Sequence, residues 1–369
     1  MPKQKMKLSI IIGTRPEIIK MSSIARECER RGLDYFILHT GQHYSYNMNK
    51  VFFKQLELPA PKYNLDVGSG SHAQETGKML TGIEKILLRE KPNVVLVEGD
   101  TNTVLSGALA ASKLHMEVGH VEAGLRSYDK SMPEEINRIL TDHISDYLFA
   151  PTEKAKDILL KEGISEDKIF VTGNTIVDAV YRNLKIANKR LSILEKLSLK
   201  PKNYFLVTLH RPENVDDKER FSQILESLDQ LANQFSLPVI YPIHPRSKRR
   251  MEEFGIKADY VKLMPPFDFF SFLQLESNAK LILTDSGGVQ EESCILAVPC
   301  VTLRDSTERP ETLTVGSNTL SGSNLQKILQ SVESMVDREN DWINPLGDGK
   351  AGKRIIEIVS GLKETQREV

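Results

Sequence analysis

The chain has 369 residues, which is long for one hydrophobic core, so two domains are expected. An apolar content of 40% and a charged content of 27% are those of a soluble globular protein. A formal net charge of -1 gives no overall reason to expect nucleic acid or an anionic membrane as a partner. The three cysteines, Cys28, Cys294 and Cys300, lack metal-site spacing. Buried free thiols in a reducing, cytoplasmic compartment are therefore predicted.

No membrane insertion is expected either. No apolar run approaches the roughly 18 residues needed to span a bilayer. The apolar segment Leu8–Ile12 is too short for the core of a signal peptide and leads straight into a motif.

Short apolar runs alternate with amphipathic stretches along the chain, a pattern typical of parallel sheets with helices on both faces. The strands predicted in the first half are Leu8–Ile12, Tyr35–His39, Val94–Val97, Glu117–Val121, Tyr147–Ala150 and Ile169–Val171. The helices predicted there are Pro16–Arg30, Ser71–Arg89, Thr103–Leu114, Pro133–His143 and Thr152–Glu162. The second half restarts the pattern with predicted strands Tyr204–Leu209, Val239–Ile243, Tyr260–Lys262, Leu281–Leu283 and Cys300–Leu303.

This alternation predicts two doubly wound α/β domains, 1–175 and 176–355. The Lys-rich segment Ile176–Lys202 carries the chain from one to the other, and a C-terminal helix, 356–369, packs back on the first. Ligands of such folds bind outside the carboxyl ends of the strands. Functional residues are therefore expected in the loops at those ends, facing a central cleft.

The most informative of these loops is the segment TDSGGVQEE, residues 284–292. A strand breaks into Ser286, Gly287 and Gly288, and a helix follows at once. Glycines let the backbone pass close to a ligand, and the free amides and dipole of the helix favour an anion. Glu292, about a turn and a half into the helix, is placed to accept hydrogen bonds from a ribose. The segment indicates a nucleotide site, with a tight turn that binds nothing as the alternative.

Two loops of the first half carry further charged candidates. In GTRPEIIK the glycine spacing does not match a dinucleotide fingerprint, but Arg15 and Lys20 flank a helix start, where both can face one anion. Two solvated charges are the alternative. In GDTNT, Asp100 stands over a helix start, either as an acid–base group or as an N-cap that stabilises by roughly 1 kcal/mol.

The next two motifs add acids to this set. Glu122 in HVEAGLRS has small neighbours, so it is expected to open into the cleft, with a structural ion pair to Arg126 as the alternative. Glu134 and Arg138 in PEEINR are four residues apart and share a helix face. An ordinary surface pair explains these two residues equally well.

Two histidines and two arginines follow strands of the second half. His210 in LHRPEN and His244 in PIHP can each donate a hydrogen bond or carry a proton near neutral pH. A lone histidine is usually structural, but two at strand ends facing one cleft favour function. Arg304 and Arg309 in RDSTERPE either bind phosphate or pair with the glutamates of their own loop.

The segments GTRPEIIK, GDTNT, HVEAGLRS, PEEINR, LHRPEN, DSGGVQEE and RDSTERPE together resemble those of the non-hydrolysing UDP-N-acetylglucosamine 2-epimerases, in order and spacing. The resemblance runs from about residue 8 to residue 315. It implies the GT-B architecture, two Rossmann-like domains around a deep cleft. It also implies an isomerase that inverts C2 of the sugar by eliminating UDP to a bound glycal and adding it back. No cofactor and no metal are expected.

The same resemblance assigns roles and partners. The acid–base candidates it implies are Asp100, Glu122, Glu134 and His210, with Arg138 supporting them. The residues it implies for binding UDP and its sugar are Arg15, Lys20, His244, Phe267, Ser286, Gly287, Gly288, Glu292 and Arg309. The expected ligands are a UDP-N-acetyl-hexosamine and UDP, the expected assembly is a homodimer, and the product is expected to feed cell-surface polysaccharide synthesis.

Two alternatives stay open from the sequence. The segments Thr40–Met48 and Gly68–His72 resemble relatives that epimerise UDP-2,3-diacetamido-2,3-dideoxyglucuronate, so the C3 and C6 groups of the sugar are not fixed. Activation by a second UDP-N-acetylglucosamine is equally open. A GT-B glycosyltransferase would share the fold and the Ser-Gly-Gly motif, but it would not need the grouped acids. UDP-N-acetylglucosamine is the preferred substrate.

Overall fold

The computed structural model describes residues 6–41, 52–189 and 192–361. The chain divides into two compact units, the first formed by residues up to Ala179 and from Gly347 onward, the second by Val180–Leu346. Each unit is a parallel sheet covered by helices, so the predicted pair of doubly wound α/β domains is confirmed. Most of the segment Thr40–Met48 lies outside the described residues, as do residues 362–369 of the predicted C-terminal helix.

The strands of the first sheet are all parallel and lie in the order β3-β2-β1-β4-β5-β6-β7. They are β1 Lys7–Ile12, β2 Asp34–His39, β3 Tyr63–Asn64, β4 Val94–Glu98, β5 Glu117–Val121, β6 Tyr147–Ala150 and β7 Ile169–Val171. The order reverses between β1 and β4, and this switch point is where open α/β sheets bind ligands.

The second sheet is also parallel, with the order β10-β9-β8-β11-β12-β13. Its strands are β8 Phe205–Thr208, β9 Val239–Pro242, β10 Val261–Met264, β11 Leu281–Thr284, β12 Cys300–Thr302 and β13 Asn318–Leu320. Its switch point falls between β8 and β11.

The α-helices whose bounds fall wholly within the described residues begin in most cases just after a strand. They are α1 Arg15–Arg31, α2 His72–Glu90, α3 Asn102–Lys113, α4 Pro133–Ile144, α5 Glu153–Lys161, α6 Thr175–Ala187, α7 Ile193–Lys196, α8 Pro212–Val215, α9 Lys218–Phe235, α10 Pro245–Phe254, α11 Phe269–Asn278, α12 Gly287–Ile295, α13 Pro310–Thr314, α14 Leu325–Met335 and α15 Ala351–Ser360. Among these residues, none of the helices combines the length and apolarity that a membrane crossing requires.

The central strands of both sheets are buried because their sequences are apolar runs, as expected for sheets covered on both faces. Val94–Val97 of β4 and Leu281–Leu283 of β11 are at most 1% exposed. Helix α9 covers the second sheet with an apolar stripe at helical spacing, whose buried members are Phe221, Ile224, Leu225, Leu228 and Leu231. Cys28, Cys294 and Cys300 are free and buried, as predicted.

The predicted elements agree closely with the structure in the first unit. The five helices and six strands predicted there lie within one residue of the observed bounds. Strand β3 has no counterpart in the predictions because it is only two residues long, and β13 because its three residues carry no apolar run. The strand predicted at Tyr260–Lys262 is shifted to β10, Val261–Met264.

The last helix, α15, starts earlier than predicted and belongs to the first unit, where it packs on α1. Arg31 of α1 pairs with Glu357 of α15 at 2.8 Å. Asp178 of α6 accepts hydrogen bonds from the backbone amides of Ala351 (3.1 Å) and Gly352 (3.0 Å). The carboxylate thereby satisfies amides that the first turn of a helix leaves unpaired.

Candidate active site

Two buried glutamates share one lysine at the carboxyl ends of β4 and β5. Glu98 is the last residue of β4, and Glu122 directly follows β5. From α1, the Nζ atom of Lys20 lies 3.0 Å from Oε1 of Glu98 and also contacts Oε2 of Glu122. Asn174 donates a hydrogen bond of 3.0 Å to Oε1 of Glu122. Burial raises the pKa of Glu98 well above its usual range despite the charge of Lys20, and the carboxylate of Glu122 raises it further.

The surroundings of Glu122 differ from two expectations. Glu122 was expected to be exposed, but it is only 8% exposed, because Lys20 and Asn174, both distant in sequence, cover it. The alternative pairing with Arg126 is wrong, since Arg126 binds Asp142 and Glu162 instead. Glu122 also has a backbone φ of 70°, which is unusual for a residue with a side chain. Such strain, of order 1–3 kcal/mol, is concentrated at functional sites.

Asp100 and Arg138 form a second charged group beside the first. The Nη2 atom of Arg138 lies 2.6 Å from Oδ2 of Asp100, and its Nη1 lies 2.8 Å from Oε2 of Glu135. The alternative of a surface pair between Arg138 and Glu134 is wrong, because Arg138 makes these two contacts instead. Glu134 is exposed in the first turn of α4. Asp100 does not cap a helix, because the N-cap of α3 is the next residue, Thr101.

The position of Arg138 depends on Glu135, which is not among the residues predicted from the sequence. The Glu135 carboxylate accepts hydrogen bonds from the backbone amides of Ser127 and Tyr128, both at 2.9 Å. Burial by itself raises the pKa of Glu135, but these amides and Arg138 hold that pKa below its usual range. An ionised Glu135 thus fixes the guanidinium that contacts Asp100.

A buried triad holds the loops that follow β4 and β5. Asp142 accepts from Nδ1 of His120 at 2.6 Å, from Arg126 at 2.7 Å and from the backbone amide of Gly124 at 3.2 Å. The other ring nitrogen of His120 lies 2.9 Å from the carbonyl oxygen of Gly99. The loops carrying Asp100 and Glu122 are therefore joined to one rigid framework.

Glu17 organises the loop between β1 and α1. Its Oε2 accepts from the amides of Gly13 (2.5 Å) and Thr14 (3.3 Å), and its Oε1 accepts from the Thr101 hydroxyl (2.7 Å). Burial raises the pKa of Glu17 to about 7 in spite of these hydrogen bonds. The neighbouring Arg15 lies over the ring of Phe52, with its Cζ 5.6 Å from the ring centroid.

In the second unit, Asp285 is the centre of the switch-point loops. Its Oδ2 accepts from the amides of His210 (2.9 Å) and Arg211 (2.8 Å), and its Oδ1 lies 3.1 Å from Nδ1 of His210. Burial by itself raises the pKa of Asp285, but the hydrogen bonds from His210 and Arg211 hold it below its usual range. His210 is thereby oriented at the end of β8 with its side chain 44% exposed.

The glycine turn is open in front of the α12 amides. Apart from its chain neighbours and its own helix backbone, a Cβ atom on Gly287 would meet no atom of the described residues within 4 Å, and one on Gly288 would approach only Oγ of Ser286, at 3.9 Å. Neither glycine has the positive φ that would require glycine for backbone reasons. Neither backbone conformation nor crowding by the described residues therefore requires glycine at these positions.

Glu292 lies on α12 against a second, deeper carboxyl group. Glu276 of α11 is 1% exposed and lies within hydrogen-bonding reach of Glu292. Burial raises the pKa of Glu276 well above its usual range, and the charge of Glu292 raises it further. This direction of the pKa shift favours the protonated form of Glu276 beside the carboxylate predicted to bind ribose.

The remaining predicted residues of the second unit are placed as follows. The His244 ring lies 6.0 Å from that of His210, and its pKa is lowered by burial, by His210 and by Arg246. Arg309 pairs with Glu291 of α12 at 2.7 Å. Phe267 packs on the apolar cluster beneath α11 and α12.

A family model for UDP-N-acetylglucosamine 2-epimerases matches residues 26–360. The chain belongs to the UDP-N-acetylglucosamine 2-epimerase family. The resemblance carried by the seven motifs is confirmed, as is the prediction of an isomerase of the nucleotide-sugar epimerase class.

The relatives of this family member include archaeal and bacterial proteins. A UDP-N-acetylglucosamine 2-epimerase of Methanocaldococcus jannaschii is 58% identical over 96% of this chain and 99% of the relative. A UDP-2,3-diacetamido-2,3-dideoxy-D-glucuronate 2-epimerase of Pseudomonas aeruginosa is 42% identical over 97% of this chain and 100% of the relative.

Solved structures of the family share the fold. The M. jannaschii enzyme in complex with UDP-GlcNAc and UDP has a TM-score of 0.85, 58% identity, and coverage of 97% of this chain and 100% of that one. The Neisseria meningitidis enzyme bound to UDP-GlcNAc has a TM-score of 0.86 and 34% identity, with the same coverage of both chains.

Proposed function

We propose that this chain interconverts UDP-N-acetylglucosamine and UDP-N-acetylmannosamine without hydrolysing either. The observation that carries the proposal is the grouping of acids in the first unit. Asp100 pairs with Arg138, and Glu122 pairs with Lys20. Asp100 and Glu122 follow the neighbouring strands β4 and β5, and a Cβ atom on Gly99, which directly precedes Asp100, would lie 4.0 Å from Oε2 of Glu122. A glycosyltransferase with the same fold has no need for such a group.

The chemistry of the sugar explains why acids are needed there. The proton on C2 is not adjacent to a carbonyl group, so its direct removal is difficult. We infer that UDP leaves from C1 as C2 loses its proton, and that UDP returns as C2 is protonated on its other face. This route needs acid–base groups near C2 and stabilisation of the departing diphosphate. Asp100, Glu122, Glu134 and His210 are proposed for the first task, with Arg138 holding Asp100.

For UDP and its sugar we propose the residues that the family resemblance implies, namely Arg15, Lys20, His244, Phe267, Ser286, Gly287, Gly288, Glu292 and Arg309. The amides at the start of α12 suit a phosphate, because the helix dipole favours an anion there. The open space in front of Gly287 and Gly288 supports this role. Relatives have been crystallised with UDP-GlcNAc and UDP.

The second candidate substrate is UDP-2,3-diacetamido-2,3-dideoxyglucuronate, favoured by the 42% identical relative that carries this name. Two relatives named for UDP-N-acetylglucosamine are more similar, at 58% and 55% identity. UDP-N-acetylglucosamine is therefore placed first. Comparing the initial rates of epimerisation of the two nucleotide sugars decides between them.

Incubation with UDP-N-acetylglucosamine alone in heavy water tests the function. We expect deuterium at C2 and accumulation of UDP-N-acetylmannosamine. Asp100→Asn and Glu122→Gln should each abolish exchange while UDP still binds, whereas the control Asp157→Asn, at an exposed carboxylate of α5, should exchange normally. Absence of exchange without an acceptor would indicate a glycosyltransferase, and release of free N-acetylmannosamine a hydrolysing enzyme.

We also propose a homodimer, as the family resemblance implies. Light scattering coupled to size-exclusion chromatography should give twice the mass of one chain. A mass equal to that of a single chain at micromolar concentration would contradict the proposal.

A further inference from the structure

We propose that Glu98 is a positioning residue for Glu122, and that the two carboxyl groups share one proton beside Lys20. The inference rests on the proposed function, in which Glu122 exchanges a proton with C2 of the sugar. It adds a role for a buried acid that lies one position before the GDTNT motif and was not among the candidates from the sequence.

The geometry of the cluster supports a shared proton. The Glu98 and Glu122 carboxyl groups lie within hydrogen-bonding reach of each other, and Lys20 contacts both. Two adjacent carboxylates cannot both be ionised without strong repulsion, and one ammonium group neutralises only one of them. The neutral state of the cluster therefore has one carboxylate, one carboxylic acid and one ammonium.

Burial keeps the shared proton on the carboxyl groups of Glu98 and Glu122. Glu98 is 2% exposed and Glu122 is 8% exposed, so exchange of protons with bulk water is restricted. The groups that face Glu98 are Lys20 and Glu17 from α1 and Glu122 from the end of β5. Asn174, which donates to Glu122, carries no proton that titrates.

The shared proton has a consequence for the reaction. When the Glu122 carboxylate takes the C2 proton, Glu98 remains an acid and the cluster gains one positive charge as the diphosphate leaves with its negative charge. When the protonated Glu122 gives a proton back to C2, one proton remains in the cluster, shared with Glu98, and one carboxylate again pairs with Lys20. The net charge of the cluster therefore changes only between zero and one positive charge, the latter while the departed diphosphate carries the opposite charge.

The variant Glu98→Gln keeps the size of the side chain and removes the proton that moves. We expect the exchange rate at neutral pH to fall roughly 10- to 100-fold. The alkaline limb of the pH–rate profile, where the wild type loses the shared proton, should move by about one pH unit or more, or disappear. A purely structural role would lower the rate equally at every pH and leave the limb in place.

Glu75→Gln is the matched control, because it makes the same change at another buried carboxyl of the first unit. Glu75 accepts from the amide of Gly70 at 2.8 Å and from Asn102 at 3.3 Å. Its alkaline midpoint should equal that of the wild type. If Glu98→Gln also keeps the wild-type midpoint, the inference is overturned.

Infrared spectroscopy tests the proton without relying on activity. At neutral pH, the spectrum of Glu98→Gln minus that of the wild type should lose one carboxylic-acid carbonyl band, and Glu75→Gln should not affect that band. Glu17→Gln and Glu276→Gln remove the acid bands of the other buried carboxyl groups with raised pKa. The band that remains should titrate away over the alkaline limb, which keeps the test available if Glu98→Gln does not fold. Absence of such a band would refute the shared proton. If the wild type catalysed no exchange, the proposed function would fail separately.

Discussion

Replacing Glu17 by Gln should raise the unfolding free energy of the first unit above that of the wild type. This difference between variant and wild type should be larger at neutral pH than at acidic pH. The carboxyl of Glu17 is buried and receives two backbone amides on one oxygen and the Thr101 hydroxyl on the other. A glutamine fits the same contacts, because its amide oxygen can accept from the backbone and its NH₂ group can donate to the hydroxyl, which also accepts. The variant therefore removes the titration and keeps the packing.

The magnitude follows from the pKa of Glu17, which is raised from 4.5 to about 7 in the folded protein. For a carboxyl with a raised pKa, the folded state binds the proton more tightly than the unfolded state. Its contribution to stability is complete below the unfolded pKa and is lost as the pH rises through the folded pKa. A gap of about 2.5 pH units corresponds to about 3 kcal/mol. The difference in unfolding free energy between variant and wild type should grow by about this amount from pH 4.5 to pH 7.5.

The assay must report on the first unit alone. The chain has one tryptophan, Trp342, and it lies in the second unit, so its fluorescence follows that unit. Native-state hydrogen exchange of the α1 amides, measured by mass spectrometry at both pH values, gives the stability of the first unit. Equal differences between Glu17→Gln and wild type at the two pH values would refute the reasoning. Tryptophan fluorescence should show no pH-dependent difference and serves as the control.

Three further outcomes are expected in the second unit. Gly288→Ala should change folding stability by no more than about 1 kcal/mol, since the nearest atom that the described residues place against the new methyl group is Oγ of Ser286, at 3.9 Å. The variant should weaken UDP binding, measured by calorimetry, roughly 10-fold or more, and unchanged affinity would remove the turn from the site. Asp285→Asn should lower the unfolding free energy of the second unit, measured in denaturant, by about 2–4 kcal/mol and should release the side chain of His210. A smaller loss would mean that the hydrogen bonds to Asp285 are not needed for the stability of this unit. Glu276→Gln should preserve a hydrogen-bond donor to Glu292. The variant should be more stable than the wild type at pH 8 but not at pH 4, because the raised pKa of Glu276 costs stability only above the pKa of this group in the unfolded chain. A loss of stability at both pH values would show that Glu276 acts as a carboxylate.

The predictable part of the fold was set by local patterns. Runs such as Val94–Val97 and Leu281–Leu283 are continuous and apolar, so they identify buried parallel strands without further information. Strands β3 and β13 are defined only by their neighbours in the sheet, and their own sequences carry no comparable signal.

The functional residues could be predicted where they lie inside a motif. Their contacts could not be predicted where the partner residue lies far away in sequence. Asp100, Glu122 and Arg138 lie in motifs, but the pairing of Glu122 depends on Lys20, which is 102 residues distant, and on Asn174, which is 52 residues distant. Glu98 did leave a signal, a charged residue that ends an otherwise apolar strand. Its significance required knowing what faces it across the sheet.

Because α15 packs on α1, the first unit cannot be completed until the second unit has been synthesised. The ribosome must complete the whole second unit, Val180–Leu346, before the helix that covers α1 and receives the Asp178 cap has been made. The second unit can therefore fold while the face of α1 that α15 covers is still exposed, although the first unit began synthesis earlier. A nascent chain stopped before Gly347 would keep that face uncovered.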